Sequence, residues 1–204
     1  MAITNYTNLK TSIADWSHRT DVTSLIDDFI DLAEAEMWKK LRIKEMDIKA
    51  TDTASTISRL LALPTGFIQM RKISLFSGGI EYGLRSRVPE AMKIRTTAGR
   101  PDQYTITSQI EFDRTADTGY TVEIQHYAKP TALSAANATN SVITNYPSIY
   151  LYGALWKLWE WALDFDKAAQ WRSAFENAVA DANKEAKSGQ YGSAPVSRVE
   201  TSTP

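Results

Sequence analysis

Apolar residues cover most of the circumference of the stretch from Tyr146 to Leu163, which is typical of a helix that packs on two sides. At about 100° per residue, one face carries Tyr152, Leu155, Trp156, Trp159 and Leu163, and the nearly opposite face carries Leu151, Ala154, Leu158, Trp161 and Phe165. The remaining polar strip is narrow. We therefore predict a helix whose two apolar faces need two partners.

Those two partners can be arranged in two ways. Either both faces are buried inside one domain, or one of them belongs to a neighbouring subunit. In the second arrangement the candidate inter-subunit residues are Leu151, Leu158, Trp161 and Phe165.

The apolar stripe changes sides after Asp166. Farther along, the apolar positions lie where the previous turn was polar: Trp171, Phe175, Ala178 and Ala182. This shift predicts a break or kink at Asp164 to Asp166, with one of the two Asp residues capping a second helix. We expect that helix to end near Ser188-Gly189.

Two helices are predicted near the N-terminus. Leu9, Ile13 and Trp16 have the spacing of a short helix, capped by Thr4 or Asn5. A longer helix, capped by Thr20 or Asp21, has an apolar stripe of Leu25, Ile26, Phe29, Ile30, Ala33, Met37 and Leu41. Its predicted solvated face consists of Asp27, Asp28, Asp31 and Glu34.

From Ile48 the period changes to two, which favours strands. The predicted runs are Ala54 to Leu63, Phe67 to Phe76, Ile80 to Leu84, Gln103 to Thr107, Gln109 to Phe112 and Tyr120 to Tyr127. Ser77-Gly78-Gly79 predicts a hairpin turn, and the last two strands are expected to be joined across Asp117-Thr118-Gly119. Val88 to Ile94 is expected to form a short helix, and Thr131 to Asn145 a loop.

These patterns predict an α+β fold, a helical bundle built from both ends of the chain with an inserted, mostly antiparallel β lobe. The expected helical domain comprises residues 1–47 and 131–189, and the β-sheet lobe residues 48–130. Residues 190–204 contain Gly and Pro with scattered apolar groups, so we expect a flexible C-terminal tail.

Composition narrows the function classes. The 204 residues are 43% apolar, and the net charge of −1 gives no argument for nucleic acid, a membrane or an acidic substrate. There is no cysteine, which excludes disulfides and thiolate sites. Because the N-terminus lacks the pattern of a signal peptide and no apolar run is long enough for a bilayer, we expect a soluble protein made in a cytoplasm.

The sequence offers no constellation for catalysis, metal or cofactor. The two histidines, His18 and His126, lie far apart, at a predicted helix end and within a predicted strand. No phosphate-binding glycine loop, nucleophile elbow or metalloprotease motif is present. Asp164 and Asp166 could do acid–base chemistry, but helix capping explains them better. We therefore predict a protein that is not an enzyme and has no cofactor.

One segment is basic. Between Tyr82 and Arg100, Glu90 is the only acid that opposes five cations: Arg85, Arg87, Lys93, Arg95 and Arg100. Such a segment can face DNA, or be solvated, or pair with acids of a neighbouring subunit. The interleaved aromatic residues that base stacking needs are absent.

Several short strings occur in a fixed order, within a resemblance that covers nearly the whole chain from about Ile13 to Lys187. They are Leu63-Pro64-Thr65-Gly66-Phe67, Gly99-Arg100-Pro101 followed by Tyr104, Tyr120 to Tyr127 with Pro130, and Tyr146-Pro147-Ser148-Ile149-Tyr150-Leu151-Tyr152-Gly153-Ala154-Leu155. Their order and spacing resemble the head-to-tail adaptors of tailed bacteriophages, of the tail tubular protein A type found in short-tailed viruses.

The resemblance implies a structural virion protein without catalytic activity, located in the virion neck and made in the host bacterial cytoplasm. It implies a homo-oligomeric ring, a dodecamer, that binds below the portal protein and provides the platform for a tail or nozzle protein. DNA would only pass through its channel, and no membrane would be involved.

The resemblance also gives the tail a partner, because Tyr191, Val196 and Val199 could dock on the portal. The alternative function is a small DNA-binding or packaging accessory protein that uses the basic segment from Arg85 to Arg100. Such a protein would bind duplex DNA with a steep salt dependence.

Overall fold

The computed structural model describes residues 2–191 of the chain, with side chains through residue 189. The chain forms two compact units. One combines the N-terminal segment to Lys44 with the C-terminal segment from Thr131, and the other spans Glu45–Pro130. We call them the helical unit and the β unit. Their secondary structure confirms the predicted α+β fold class.

The helical unit contains α1 (Tyr6–Ser17), α2 (Ile26–Lys40), α3 (Ser141–Asn145), α4 (Pro147–Trp161) and α5 (Phe165–Tyr191). Asn5 caps α1, as one of the two predicted alternatives, by accepting a 2.9 Å hydrogen bond from the backbone N–H of Asn8. The predicted cap of α2 is wrong. A 3₁₀ turn at Thr23–Leu25 leads directly into that helix, and the carboxylate of Asp21 is paired with Arg19 instead.

Two other helix predictions need correction. The expected loop before Tyr146 contains α3, because Asn140 caps it by accepting hydrogen bonds from the N–H groups of Val142 and Ile143. At the other end, α5 continues past the expected stop at Ser188-Gly189. Gly189 does not adopt the positive φ with which a glycine ends a helix.

The predicted break between the last two helices is confirmed. The N–H of Leu163 donates to the carbonyl of Glu160 at 3.2 Å, and the N–H of Asp164 donates to the carbonyl of Trp159 at 3.1 Å. This is the Schellman motif, and Leu163 occupies its left-handed position with φ of 58°. The side chain of Asp164 then caps α5 by accepting from the N–H of Lys167 at 3.2 Å.

Helix α4 is the centre of the helical unit, because it packs against α1, α2, α3 and α5. The helices approach closely at Gly153, where an added Cβ would lie 2.9 Å from the Cβ of Ala33 and 3.2 Å from the ring of Phe175. The stripe predicted for α2 is mostly buried: Ile26, Phe29, Ile30, Ala33, Met37 and Leu41. The solvated face predicted beside it is wrong at Glu34, which is buried.

The β unit contains eight strands. They are β1 (Asp47–Thr53), β2 (Leu60–Leu61), β3 (Phe67–Ser77), β4 (Ile80–Gly83), β5 (Arg85–Ser86), β6 (Gln103–Ile106), β7 (Ile110–Phe112) and β8 (Thr121–Ala128). One sheet has the order β1-β8-β3-β4, and the other has the order β2-β7-β6-β5. The pairs are antiparallel except for β5 with β6.

The two sheets share one core. The first contributes Ile73, Leu75, Val122 and Ile124, and the second contributes Leu61, Tyr104, Ile110 and Phe112. The predicted β3–β4 hairpin is confirmed, with positive φ at Gly78 and Gly79. Asp117-Thr118-Gly119 lies between β7 and β8, as predicted, but these strands belong to different sheets and not to one. The connection between them buries Ala116 and Tyr120 in the core.

Two shorter predictions in the β unit also differ from the structure. In the expected strand from Ala54 to Leu63 only Leu60–Leu61 is a strand, because the preceding turn uses the hydroxyl of Ser55 as an acceptor for the N–H groups of Ile57 and Ser58. The expected helix from Val88 to Ile94 is a single 3₁₀ turn at Pro89–Ala91.

Candidate functional site

The two histidines that were considered for catalysis lie in different units of the fold. His18 is exposed at the end of α1, whereas His126 is buried in β8 and stacks on Phe67 with ring centroids 5.6 Å apart. The Nε2 atom of His126 is buried without a hydrogen-bond partner among the described residues, and its Nδ1 atom lies 3.5 Å from the carbonyl oxygen of Ile124. Within residues 2–189 no group of three or more possible metal-ligating side chains occurs.

Asp164 is engaged as a helix cap. Its carboxylate lies 2.8 Å from the Nζ atom of Lys167, and this hydrogen-bonded partner holds the pKa of Asp164 below its usual range. A carboxylate held in its charged form at a helix N-terminus stabilises the helix. In the described part of the chain, no helix is both long and apolar enough to cross a bilayer.

The predicted basic segment divides into paired and unpaired cations. Arg95 lies 3.6 Å from the buried carboxylate of Asp113, and the guanidinium of Arg100 lies 4.3 Å from the ring centroid of Tyr82. The remaining three, Arg85, Arg87 and Lys93, are exposed and make no ion pair among the described residues. The structure therefore leaves three of the five cations available to a partner.

A buried carboxylate anchors this segment. The Oδ1 atom of Asp113 accepts hydrogen bonds from the N–H groups of Asp102 at 2.9 Å and Gln103 at 3.2 Å. The carbonyl of Asp113 also accepts from the N–H of Arg95 at 2.7 Å. Sequence reasoning missed Asp113, although a carboxylate directly after a strand and before Arg114 is a signal that could have identified it.

Apolar side chains are interleaved with the unpaired cations. Val88 is 61% exposed and Ile94 is 56% exposed, on a segment whose backbone is fixed at both ends. We call residues 85–94 the arm, defined by Arg85, Arg87, Val88, Lys93 and Ile94. A large exposed apolar group beside unpaired charge is typical of an interaction surface.

The candidate inter-subunit helix face is only partly free. Leu151 and Leu158 are buried within the helical unit, so they are not available to a neighbour, and the face as predicted is wrong at these two positions. Trp161 is half exposed beside Phe29 and Arg19, and Phe165 is 67% exposed. Helix α4 is therefore covered at Leu151 and Leu158 but half exposed at Trp161, its last residue.

An exposed leucine extends this open end. Leu163 is 73% exposed, in the left-handed position that glycine usually occupies. A non-glycine residue there costs about 1–2 kcal/mol of backbone strain, and here it displays an apolar side chain to solvent. Together Trp161, Leu163 and Phe165 form what we call the apolar tip.

A second charged surface lies on α2. Asp28 and Asp31 are exposed and make no ion pair among the described residues, whereas the neighbouring Asp27 is paired with Lys10 at 2.6 Å. Leu32, next to Asp31, is 52% exposed. We call Asp28, Asp31 and Leu32 the acidic face. The sequence identified its acids as solvated, but it did not identify the exposed leucine.

A buried polar network was missed at the sequence level. The Oε1 atom of Glu34 accepts a hydrogen bond from the N–H of Leu133 at 2.9 Å and one from the hydroxyl of Tyr150 at 2.7 Å. The same hydroxyl accepts from the side-chain amide of Asn140 at 2.7 Å. Burial raises the pKa of Glu34, and the two hydrogen bonds partly oppose that rise.

The candidate docking tail is mostly beyond what the structure describes. Tyr191 is the last residue of α5, and its side chain lies outside the part of the chain that the structure describes. Val196 and Val199 lie outside the described residues.

Comparison with known proteins adds one finding. Residues 4–199 match the sequence profile of the family described as SU10 adaptor protein. No curated protein matches the chain significantly in sequence.

Proposed function

This chain belongs to the SU10 adaptor protein family, and from that membership we propose that it joins the head of a tailed phage to its tail. Membership makes the chain a structural adaptor of a phage particle. The observation that carries the proposal is the length of the match, which runs through both units, from α1 to beyond the end of α5.

The finer role that we propose is that of a ring in the virion neck. Copies of the chain form a ring, a dodecamer as in adaptors of the tail tubular protein A type. The ring binds below the portal protein and provides the platform for a tail or nozzle protein. In this role the protein has no catalytic activity, and it is made in the cytoplasm of the host bacterium.

The surfaces of the molecule support this role. The helical unit and the β unit each have a packed interior, yet large apolar side chains remain exposed at the apolar tip, the acidic face and the arm. An adaptor has to contact its own copies and two other proteins, so it needs several such surfaces. The apolar tip, with its strained Leu163, is the surface that we propose for contact with another virion protein.

The experiment is a gene disruption in the phage that encodes the chain. Without the protein, we expect DNA-filled heads without tails, and wild-type protein supplied from a plasmid should restore tailed particles. Labelling with an antibody should place the restored protein at the neck in electron micrographs. Tailed, infectious particles in its absence would contradict the proposal.

A DNA-binding accessory function remains the alternative, favoured by the unpaired Arg85, Arg87 and Lys93 of the arm. A protein of that kind binds duplex DNA with an affinity that falls steeply with salt. Titration of the purified chain with duplex DNA at two salt concentrations separates the two functions, because the adaptor should show little affinity at either.

A further inference from the structure

The arm and the acidic face carry opposite charges and similar apolar groups. The arm has three unpaired cations around Val88 and Ile94. The acidic face has two unpaired carboxylates beside Leu32. Because Glu90 also lies in the arm, the arm has a net charge of +2 (three cations and one acid), opposite to the −2 of the two carboxylates of the acidic face. Among the described residues none of these charged groups makes an ion pair within the chain.

The backbone of the arm is fixed although its side chains are free. β5 pairs with β6, and the N–H groups of Arg85 and Arg87 donate to the carbonyls of Asp102 at 3.1 Å and Tyr104 at 2.9 Å. The 3₁₀ turn at Pro89–Ala91 holds the middle of the arm. A surface that is already ordered loses little conformational entropy when it binds.

The acidic face is equally well ordered. Asp28, Asp31 and Leu32 are three and four residues apart on α2, so they lie on one side of the helix. The other side is buried through Phe29, Ile30, Ala33 and Met37. The helix thus displays two carboxylates and one leucine at fixed spacing.

We propose that the arm of one copy of this chain docks on the acidic face of a second copy. Arg85, Arg87 and Lys93 then face Asp28 and Asp31, while Val88 and Ile94 contact Leu32. The inference rests on the proposed function, because a ring needs a contact between copies, and it identifies the residues of that contact. Since the two surfaces differ, the contact is heterologous and can repeat from copy to copy until a ring closes.

The apolar groups favour a protein partner for the arm over DNA. Phosphate binding uses Lys and Arg and gains nothing from exposed Val88 and Ile94. No aromatic side chain of the arm is available to stack on bases. A helix face with carboxylates beside a leucine satisfies both the charges and the apolar side chains.

The test uses two charge-reversed forms of the full chain. The first carries Arg85→Glu, Arg87→Glu and Lys93→Glu, and the second carries Asp28→Lys and Asp31→Lys. Each alone places like charges against each other, and we expect its self-association to weaken at least about 100-fold in sedimentation. Their equimolar mixture should assemble again, because copies that alternate restore opposite charges at every contact.

A matched control reverses charges elsewhere. Lys184 and Lys187 of α5 are exposed and make no ion pair among the described residues. The variant with Lys184→Glu and Lys187→Glu should assemble like the wild type. Thermal unfolding of every variant shows whether a loss of assembly is a loss of folding.

Disulfide cross-linking tests the same contact if self-association is too weak to be seen in sedimentation. The chain has no cysteine, so Val88→Cys in one preparation and Leu32→Cys in another introduce the only thiols. Mixed under mild oxidation, the two should form a disulfide-linked heterodimer much faster than a mixture in which Thr97→Cys replaces Val88→Cys. Thr97 is an exposed residue outside the arm.

Three results would overturn the inference. The first is a mixture of the two charge-reversed forms that stays dissociated while the wild type assembles. The second is that the wild type binds duplex DNA, and that the form with Arg85→Glu, Arg87→Glu and Lys93→Glu loses this binding but self-associates as the wild type does. The third is a wild-type chain that does not assemble at its highest soluble concentration, together with Val88→Cys and Leu32→Cys chains that form a heterodimer no faster than the Thr97→Cys control. Loss of tail attachment in a variant that still assembles would concern the proposed function, not this contact.

Discussion

The hydroxyl of Tyr150 donates a hydrogen bond of 2.7 Å to the buried carboxyl group of Glu34. This bond links α4 to α2, and the second hydrogen bond of Glu34, from the N–H of Leu133, ties the segment before α3 to the same point. The helical unit combines segments from both ends of the chain, and this network joins them in its interior.

The first prediction concerns Tyr150→Phe. The substitution removes a donor from Glu34 and an acceptor from Asn140, both of which lie in the network. It should lower the free energy of unfolding by about 1–3 kcal/mol, as measured with urea. Tyr152→Phe is the matched control, because Tyr152 makes a ring contact with Trp171 that the change preserves. Equal stability of the two variants would show that the network contributes nothing.

This network also shows where sequence reasoning stops. Glu34 follows Ala33 at the edge of the apolar stripe, and its charge made it look solvated beside Asp31. Its hydrogen-bond partners in the interior, Leu133 and Tyr150, lie 99 and 116 residues farther along the chain. No local sequence pattern identifies such distant partners. The break at Leu163 and Asp164 was predictable, because a shift of the apolar stripe and a capping residue are local signals.

In the β unit, too, the features with a local sequence signal were predictable and those that depend on distant strands were not. The β3–β4 hairpin was predicted from Gly78 and Gly79, since two adjacent residues with positive φ determine that turn. The sequence did not reveal that β7 and β8 belong to different sheets, because strands of period two can pair with any neighbour. The five cations of the basic segment from Arg85 to Arg100 were predicted as a group. Arg95 is paired because the fold brings it near Asp113, and the sequence does not show that contact.

The second prediction concerns pH and Glu34→Gln. Because the pKa of Glu34 is raised on folding, the folded state binds this proton more tightly than the unfolded state does. The resulting stabilisation is present at low pH and is lost as the pH rises from the unfolded value, about 4.3, through the raised folded value. As the pH rises through that interval, the free energy of unfolding of the wild type should therefore fall relative to that of Glu34→Gln.

Urea unfolding of both chains at several pH values measures this difference. Taking the difference between the two chains removes the contribution of the other titrating groups to the pH dependence of stability. These groups include Asp27 and Glu176, whose pKa values are lowered by Lys10 and Lys40, so that their contribution to stability increases as the pH rises. Asp31, whose charge also raises the pKa of Glu34, is present in both chains. A difference that does not vary with pH would contradict the prediction.

The third prediction is that Leu163→Gly stabilises the chain by about 0.5–1 kcal/mol. The substitution relieves the strain of the left-handed backbone, and this gain is partly offset because glycine raises the conformational entropy of the unfolded chain. Leu163 has φ of 58° and is 73% exposed, so little buried surface is lost. Leu163→Ala keeps the strain and should leave the melting temperature almost unchanged. If Leu163→Gly lowers stability, the side chain makes a contact that matters more than the strain.

The fourth prediction concerns the anchor of the arm. Asp113→Ala leaves the N–H groups of Asp102 and Gln103 without their acceptor, and Arg95 without its buried partner. We expect a loss of about 2–4 kcal/mol and faster trypsin cleavage at Arg85, Arg87 and Lys93. Asp113→Asn keeps one acceptor oxygen and should lie between wild type and the alanine variant. Unchanged cleavage in Asp113→Ala would mean that the arm is ordered without this carboxylate.

The fifth prediction concerns the C-terminal segment after Tyr191 and its proposed docking on the portal. A chain that ends at Tyr191 keeps every helix that the structure describes in the helical unit, so its melting temperature should stay close to that of the full chain. It lacks Val196 and Val199, the apolar groups proposed to contact the portal, and it should therefore bind purified portal much more weakly in a pull-down at matched concentration. The full chain with Val196→Ser and Val199→Ser should show the same defect, which separates the loss of apolar contact from the loss of length. Equal portal binding by all three chains would remove the docking role, whereas a large drop in melting temperature on truncation would mean that this segment stabilises its own chain.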